Sequence, residues 1–199
     1  MKHEQTKLQA PGHGLPWPEL AVSRLGLEIY QRTVSPQAAL RLLQGETRRI
    51  LSLLDSVEET KGRTRVLIPR IFGIEDSSRH WSLFMTVEHL NIVILSVVGL
   101  ISSLLDLREY AKEVRIQDVK PHEQAGPEQV ESLRQNQIRY EKFILSLASL
   151  SSRRRHPHPW FGPLRPHGWH CLLGVHQLIH RRQIERIFAV LFRGLPRVS

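Results

Sequence analysis

The chain has 199 residues, 41% hydrophobic and 24% charged. That composition suits one globular domain with a real core, and excludes a disordered or fibrous chain. Cys171 is the only cysteine, which excludes an internal disulfide. The formal charge of +9 admits a nucleic-acid partner, but the basic residues are scattered apart from Arg153-Arg154-Arg155, and each expected helix also carries acids. A solvated surface is the better reading of that charge, so nucleic acid is not the expected partner.

Residues 1–16 hold Pro11, Gly12, Gly14 and Pro16 and read as a flexible leader before a single domain over 17–199. The leader lacks the continuous apolar segment of a secretory signal. With the lone cysteine, this points to a reducing, cytoplasmic setting. Pro18 to Arg32 reads as a short helix with proline near its first turn. Ser35-Pro36 is a strong helix start. Leu40, Leu43, Ile50, Leu54 and Val57 then share one face of an amphipathic helix that is expected to end near Gly62. Residues 63–76 contain Pro69 and read as an ordered loop.

Ser77 or Ser78 is the expected cap of the next helix, which runs to about Lys112. Leu90 to Leu105 carries no charge, but it is only 16 residues long and includes Asn91, Ser96 and Ser102. A bilayer needs roughly 20 apolar residues, so a central helix of a bundle fits better than a membrane span. Residues 113–126 read as a connection. Pro127-Glu128 opens a third long helix, expected to reach Ser151, and Arg153 to Pro166 is a proline-rich connector. Pro166 opens the last helix, which Gly194 and Pro196 stop. The expectation is an all-α four-helix bundle with a short extra N-terminal helix.

Two stripes of polar residues stand out on otherwise apolar helix faces. On the second long helix, Ser82, Thr86, His89, Ser96 and Ser103 share one side. Buried polar groups without partners cost about 1–3 kcal/mol each, so such a row points to a polar cavity, and His89 is its ionisable member. On the last helix, Trp169, His176, His180 and Gln183 share a face. Histidines four apart project together from adjacent turns and can hold one metal ion. Three neutral imidazoles would leave coordination positions open, the mark of a catalytic rather than a structural site. Thr86 and Gln183 are candidate partners around such a site, and Trp160 and Trp169 candidate pocket residues.

Trp81-Ser82-Leu83-Phe84-Met85-Thr86-Val87-Glu88-His89-Leu90 resembles the first part of the signature of the DinB/YfiT-like superfamily of metal-dependent enzymes. His158-Pro159-Trp160-Phe161-Gly162-Pro163-Leu164, then Trp169, then His176 to Ile184 resembles the second part, in a subgroup with this connector. The resemblance spans roughly residues 35–193. It implies a four-helix bundle, a possible homodimer, and one divalent metal ion, zinc or nickel, on His89, His176 and His180. It implies hydrolysis of a small-molecule substrate by metal-activated water, or thiol-dependent transfer. His167-Gly168 departs from the acidic or amide residues usual after the connector proline. Two other readings stand beside it: a non-enzymatic bundle with buried structural histidines, and a basic nucleic-acid-binding protein.

The remaining candidates have plainer readings. Cys171 reads as core filler rather than a nucleophile. His156, His158, His167 and His170 read as connector histidines rather than ligands. Glu88, Glu185 and the Arg181, Arg182, Arg186 group read as solvated.

Overall fold

The computed structural model describes residues 8–105 and 113–194. Helix α1 spans Trp17–Thr33, α2 Pro36–Leu54, and α3, a single short turn, Glu59–Arg63. Helix α4 spans Leu83–Leu105 and α5 Glu128–Ser146. Strands β1 (His156–His158) and β2 (Gly162–Leu164) follow, and α6 (Pro166–Phe192) closes the chain. The bundle is made by α2, α4, α5 and α6: α6 packs on α2 and α4, and α5 closes the ring from the other side. Leu43, Ile50, Leu83, Leu90, Ile94, Ile101, Leu133, Tyr140 and Ile187 fill its centre.

Helix α2 starts as expected, with the Ser35 hydroxyl accepting from Ala38 N at 3.2 Å. It ends at Leu54 rather than near Gly62, because the chain turns out at Asp55 and re-enters as α3. That turn lies flat on the start of α4: a Cβ on Gly62 would come within 2.2 Å of the Phe84 ring.

Helix α4 also begins later than Ser77 or Ser78. A short turn at Asp76–Ser78 intervenes, and Arg79 and Trp81 then give their carbonyls to the amides of Ile68 and Val66 instead of to a helix. Ser82 is the actual cap, accepting from Met85 N at 3.1 Å. The expected end at Lys112 falls outside the described residues. Leu83–Leu105 is long and apolar enough to cross a membrane by length and composition, yet 61% of its most apolar stretch is buried in the protein. It is the central helix of the bundle.

Three further expectations need correction. Helix α5 stops at Ser146, and Ser152 then ties the extended chain to the end of α4 through Leu104 O. The connector is a small antiparallel hairpin, with His156 opposite Leu164 and His158 opposite Gly162. Gly162 takes a φ of +70° at its turn, which glycine adopts without strain. The leader is tied down from Gln9 onward: Gln9 N donates to Asp76, and Gly12 N and Gly14 N both donate to Glu75 Oε1, at 2.7 and 3.0 Å. Residues 1–7 lie outside the described residues.

Candidate metal centre

Helices α4 and α6 run side by side, and their polar stripes meet. His89 Nε2 lies 3.0 Å from His176 Nε2. The ring centroids are 4.6 Å apart for His89 and His180, and 4.4 Å for His176 and His180. One nitrogen from each ring falls within 4.8 Å of the others, close enough for one ion to be held among them. His89 and His180 are buried, and His176 is partly open to a cavity.

The outer nitrogens fix which inner ones are free. His89 Nδ1 lies 2.6 Å from the carbonyl of Val119, which can only accept, so Nδ1 carries the proton and Nε2 is bare. His180 Nδ1 lies 2.7 Å from Gln183 Oε1. The Gln183 amide is held the right way round because its Nε2 donates to Ser78 O at 2.7 Å. His180 Nε2 is therefore bare as well. His176 has no such tether, and its Nδ1 is buried without a hydrogen-bond partner. The cluster thus holds more nitrogen lone pairs than protons to satisfy them. A histidine that donates its second nitrogen to a carbonyl or amide oxygen is the usual arrangement around a bound metal. The residues present fit a divalent ion.

All three rings are held neutral. Burial pushes His89 down to about 4; the Val119 hydrogen bond opposes this and the nearby Lys120 charge adds to it. Burial, with the neighbouring imidazoles, takes His176 and His180 well below the ordinary histidine value. Neutral imidazole is the form that binds metal. Trp81 covers the cluster, stacked 6.2 Å from His180 and tilted against His89 at 5.2 Å. Lys120 reaches over the Trp81 ring at 5.4 Å and donates to Glu75 Oε2, Ser77 Oγ and Ser78 Oγ. Glu75 is thereby fully engaged, although it lines the same cavity.

That cavity measures about 440 Å³ and opens from the imidazoles between α1, α4 and α6. Its walls are Val93, Val97 and Leu100 of α4 and Trp169, Leu172 and Ile179 of α6, with Leu27 and Tyr30 of α1 as a roof. It is apolar, contrary to the polar cavity expected from the stripe on α4. Ser82 caps the helix, and Thr86 donates to Ser82 O, so neither reaches it. Ser96 does line it.

Of the other residues named from sequence, Gln183 touches His180, Trp160 and Trp169 line the cavity, and Thr86 serves the backbone alone. Cys171 is buried, with its thiol pushed up to about 12 by burial, as core filler should be. His170 bridges Tyr140 and the carbonyl of Pro36 inside the core. Glu88 is not solvated as expected: it holds His122 through both ring and backbone. Glu185 pairs with Arg181, which also meets Glu46.

Three functional features escaped the sequence reading. Val119 acts through its carbonyl, which no side-chain pattern reveals. Lys120 and Glu75 come from loops without periodicity. His158 lines the cavity, its Nδ1 accepting from Trp160 N at 3.0 Å, so that Nε2 bears the hydrogen. The signal for it was the histidine before Pro159-Trp160-Phe161-Gly162, which forms the hairpin turn.

Fold and site together define a four-helix bundle with a buried cluster of three histidines and an adjoining apolar cavity. A crystal structure of TT2238, a four-helix bundle protein, is similar, with a TM-score of 0.51 and 20% identity over 76% of this chain and 98% of that one. At that identity the likeness is one of fold. No known protein family matches the sequence, and no curated protein matches it either.

Proposed function

We propose that this chain is a metal-dependent enzyme of the DinB/YfiT-like kind, holding one zinc or nickel ion on His89, His176 and His180 and hydrolysing a small-molecule substrate. The observation that carries the reading is the convergence of three neutral imidazoles, two of them with their outer nitrogens locked onto oxygen acceptors. The order of the histidines along the helices, the connector and the bundle itself also support it.

A divalent ion held by His89, His176 and His180 would supply water activation and polarisation of a substrate oxygen. The protein's own contribution is orientation and exclusion of water. Val119 and Gln183 hold two rings in the tautomer that points a lone pair inward. Trp81 and the apolar walls keep bulk water from the rings. His158, whose Nδ1 accepts from Trp160 N, lines the same cavity.

The test is hydrolysis of p-nitrophenyl esters by the protein stripped of metal and then reloaded with zinc or nickel. We expect activity that requires the ion and is lost in His89→Ala. Equal rates with and without metal would overturn the reading.

A further inference from the structure

The cavity beside the imidazoles is built for a molecule of a particular shape. Its lining residues on α4 run from His89 through Val93, Ser96 and Val97 to Leu100, and those on α6 run back from His180 to Trp169. At 1.5 Å per residue, both sets cover about 16 Å from the histidines. The space is therefore elongated, with the imidazoles near one end. Its volume lies within the range of sites that enclose small molecules.

Charge at the histidine end is unbalanced. Three neutral imidazoles leave a divalent ion with its full double charge in apolar surroundings, which is costly without a counter-charge. Glu75 lines the cavity but is engaged with Lys120, Ser77 and the amides of Gly12 and Gly14. A carboxylate on the bound molecule can supply the missing negative charge.

We propose that the cavity binds a medium-chain carboxylate, its carboxylate at the histidine end and its apolar chain along α4 and α6; hydrolysis of an ester or amide of that acid, with release of the alcohol or amine, would leave it there as the product. The inference rests on the metal reading above and names the ligand of that same site.

Binding is tested by calorimetry on the metal-free and zinc-loaded protein, with acetate, hexanoate, octanoate, decanoate and 1-decanol. Zinc uptake is measured first and separately. We expect decanoate to bind the zinc form at least tenfold more tightly than the metal-free form and than 1-decanol. Affinity should rise by up to about fourfold for each methylene added between hexanoate and decanoate. Ser96→Phe and Gly26→Leu fill the cavity away from the imidazoles; a Cβ on Gly26 meets nothing within 4 Å. Both should keep zinc binding and lose at least tenfold in decanoate affinity. Zinc bound normally with decanoate no tighter than acetate overturns the ligand assignment alone. So does unaltered decanoate binding in both folded variants. Failure to bind zinc overturns the metal reading and this inference with it.

Discussion

Gln183→Leu removes the group that aims His180. Gln183 is fully buried, and its amide joins His180 Nδ1 to the carbonyl of Ser78. Leucine keeps similar bulk but offers neither donor nor acceptor, so it strands two buried polar groups. Each stranded group costs about 1–3 kcal/mol, so the metal-free variant should lose about 2–6 kcal/mol of stability in a urea titration. The freed His180 can then rotate or change tautomer, and loss of such a partner weakens metal binding about 10–100-fold. Zinc affinity is measured by competition with a chromophoric chelator, on variant shown to be folded by circular dichroism. A folded variant with unchanged zinc affinity would refute the claim that Gln183 orients a ligand.

Two further outcomes follow from buried groups outside the histidine cluster. Glu75→Gln leaves Lys120 without its counter-charge and should destabilise the protein by about 3 kcal/mol in the same titration. Burial alone would raise the Glu75 carboxyl, but hydrogen bonds from Lys120, Ser77 and Gly14 together with the Lys120 charge hold it below its usual 4.5. A lowered folded-state value stabilises the protein above pH 4.5, and that contribution fades as pH falls through the lower value. The gap between wild type and variant should therefore close in acid; a gap that persists or widens there contradicts the assignment. Cys171, with its thiol pushed up to about 12, should resist a disulfide reagent at pH 7.5 in the folded protein and react fully in denaturant. Rapid labelling of the folded protein would show that the core around α6 opens.

The long helices were legible because their signals are local. Apolar spacing along α2 and α4, the Ser35-Pro36 start and the stop at Gly194 all lie within a few residues of what they specify. The errors came where a distant segment decides. Nothing near Ser77 says that residues 79–81 will pair with Val66 and Ile68, which delays α4 to Leu83. The hairpin is hidden because its strands are three residues each, each with a proline at its centre, Pro157 and Pro163, and Pro159 lies in the turn between them. The looseness expected of Gly12 and Gly14 is in fact their use: both take positive φ, so that their amides reach one Glu75 oxygen.

At the site, the shared spacing along α4 and α6 foretold that the three histidines lie on facing stripes. It misjudged the space between them. Serines and threonines on α4 suggested polarity, but Ser82 and Thr86 satisfy each other and the helix start. The cavity wall is instead made by valine, leucine and isoleucine from three helices, which only tertiary packing brings together.

The central claim is that His89, His176 and His180 hold one divalent ion. Elemental analysis of protein purified without chelator, with anomalous scattering at the zinc and nickel edges on crystals, measures it directly. The account predicts about one ion per chain on these rings, and loss of that ion in His176→Ala/His180→Ala. Undiminished metal content in that double variant, or an ion bound elsewhere, would contradict it.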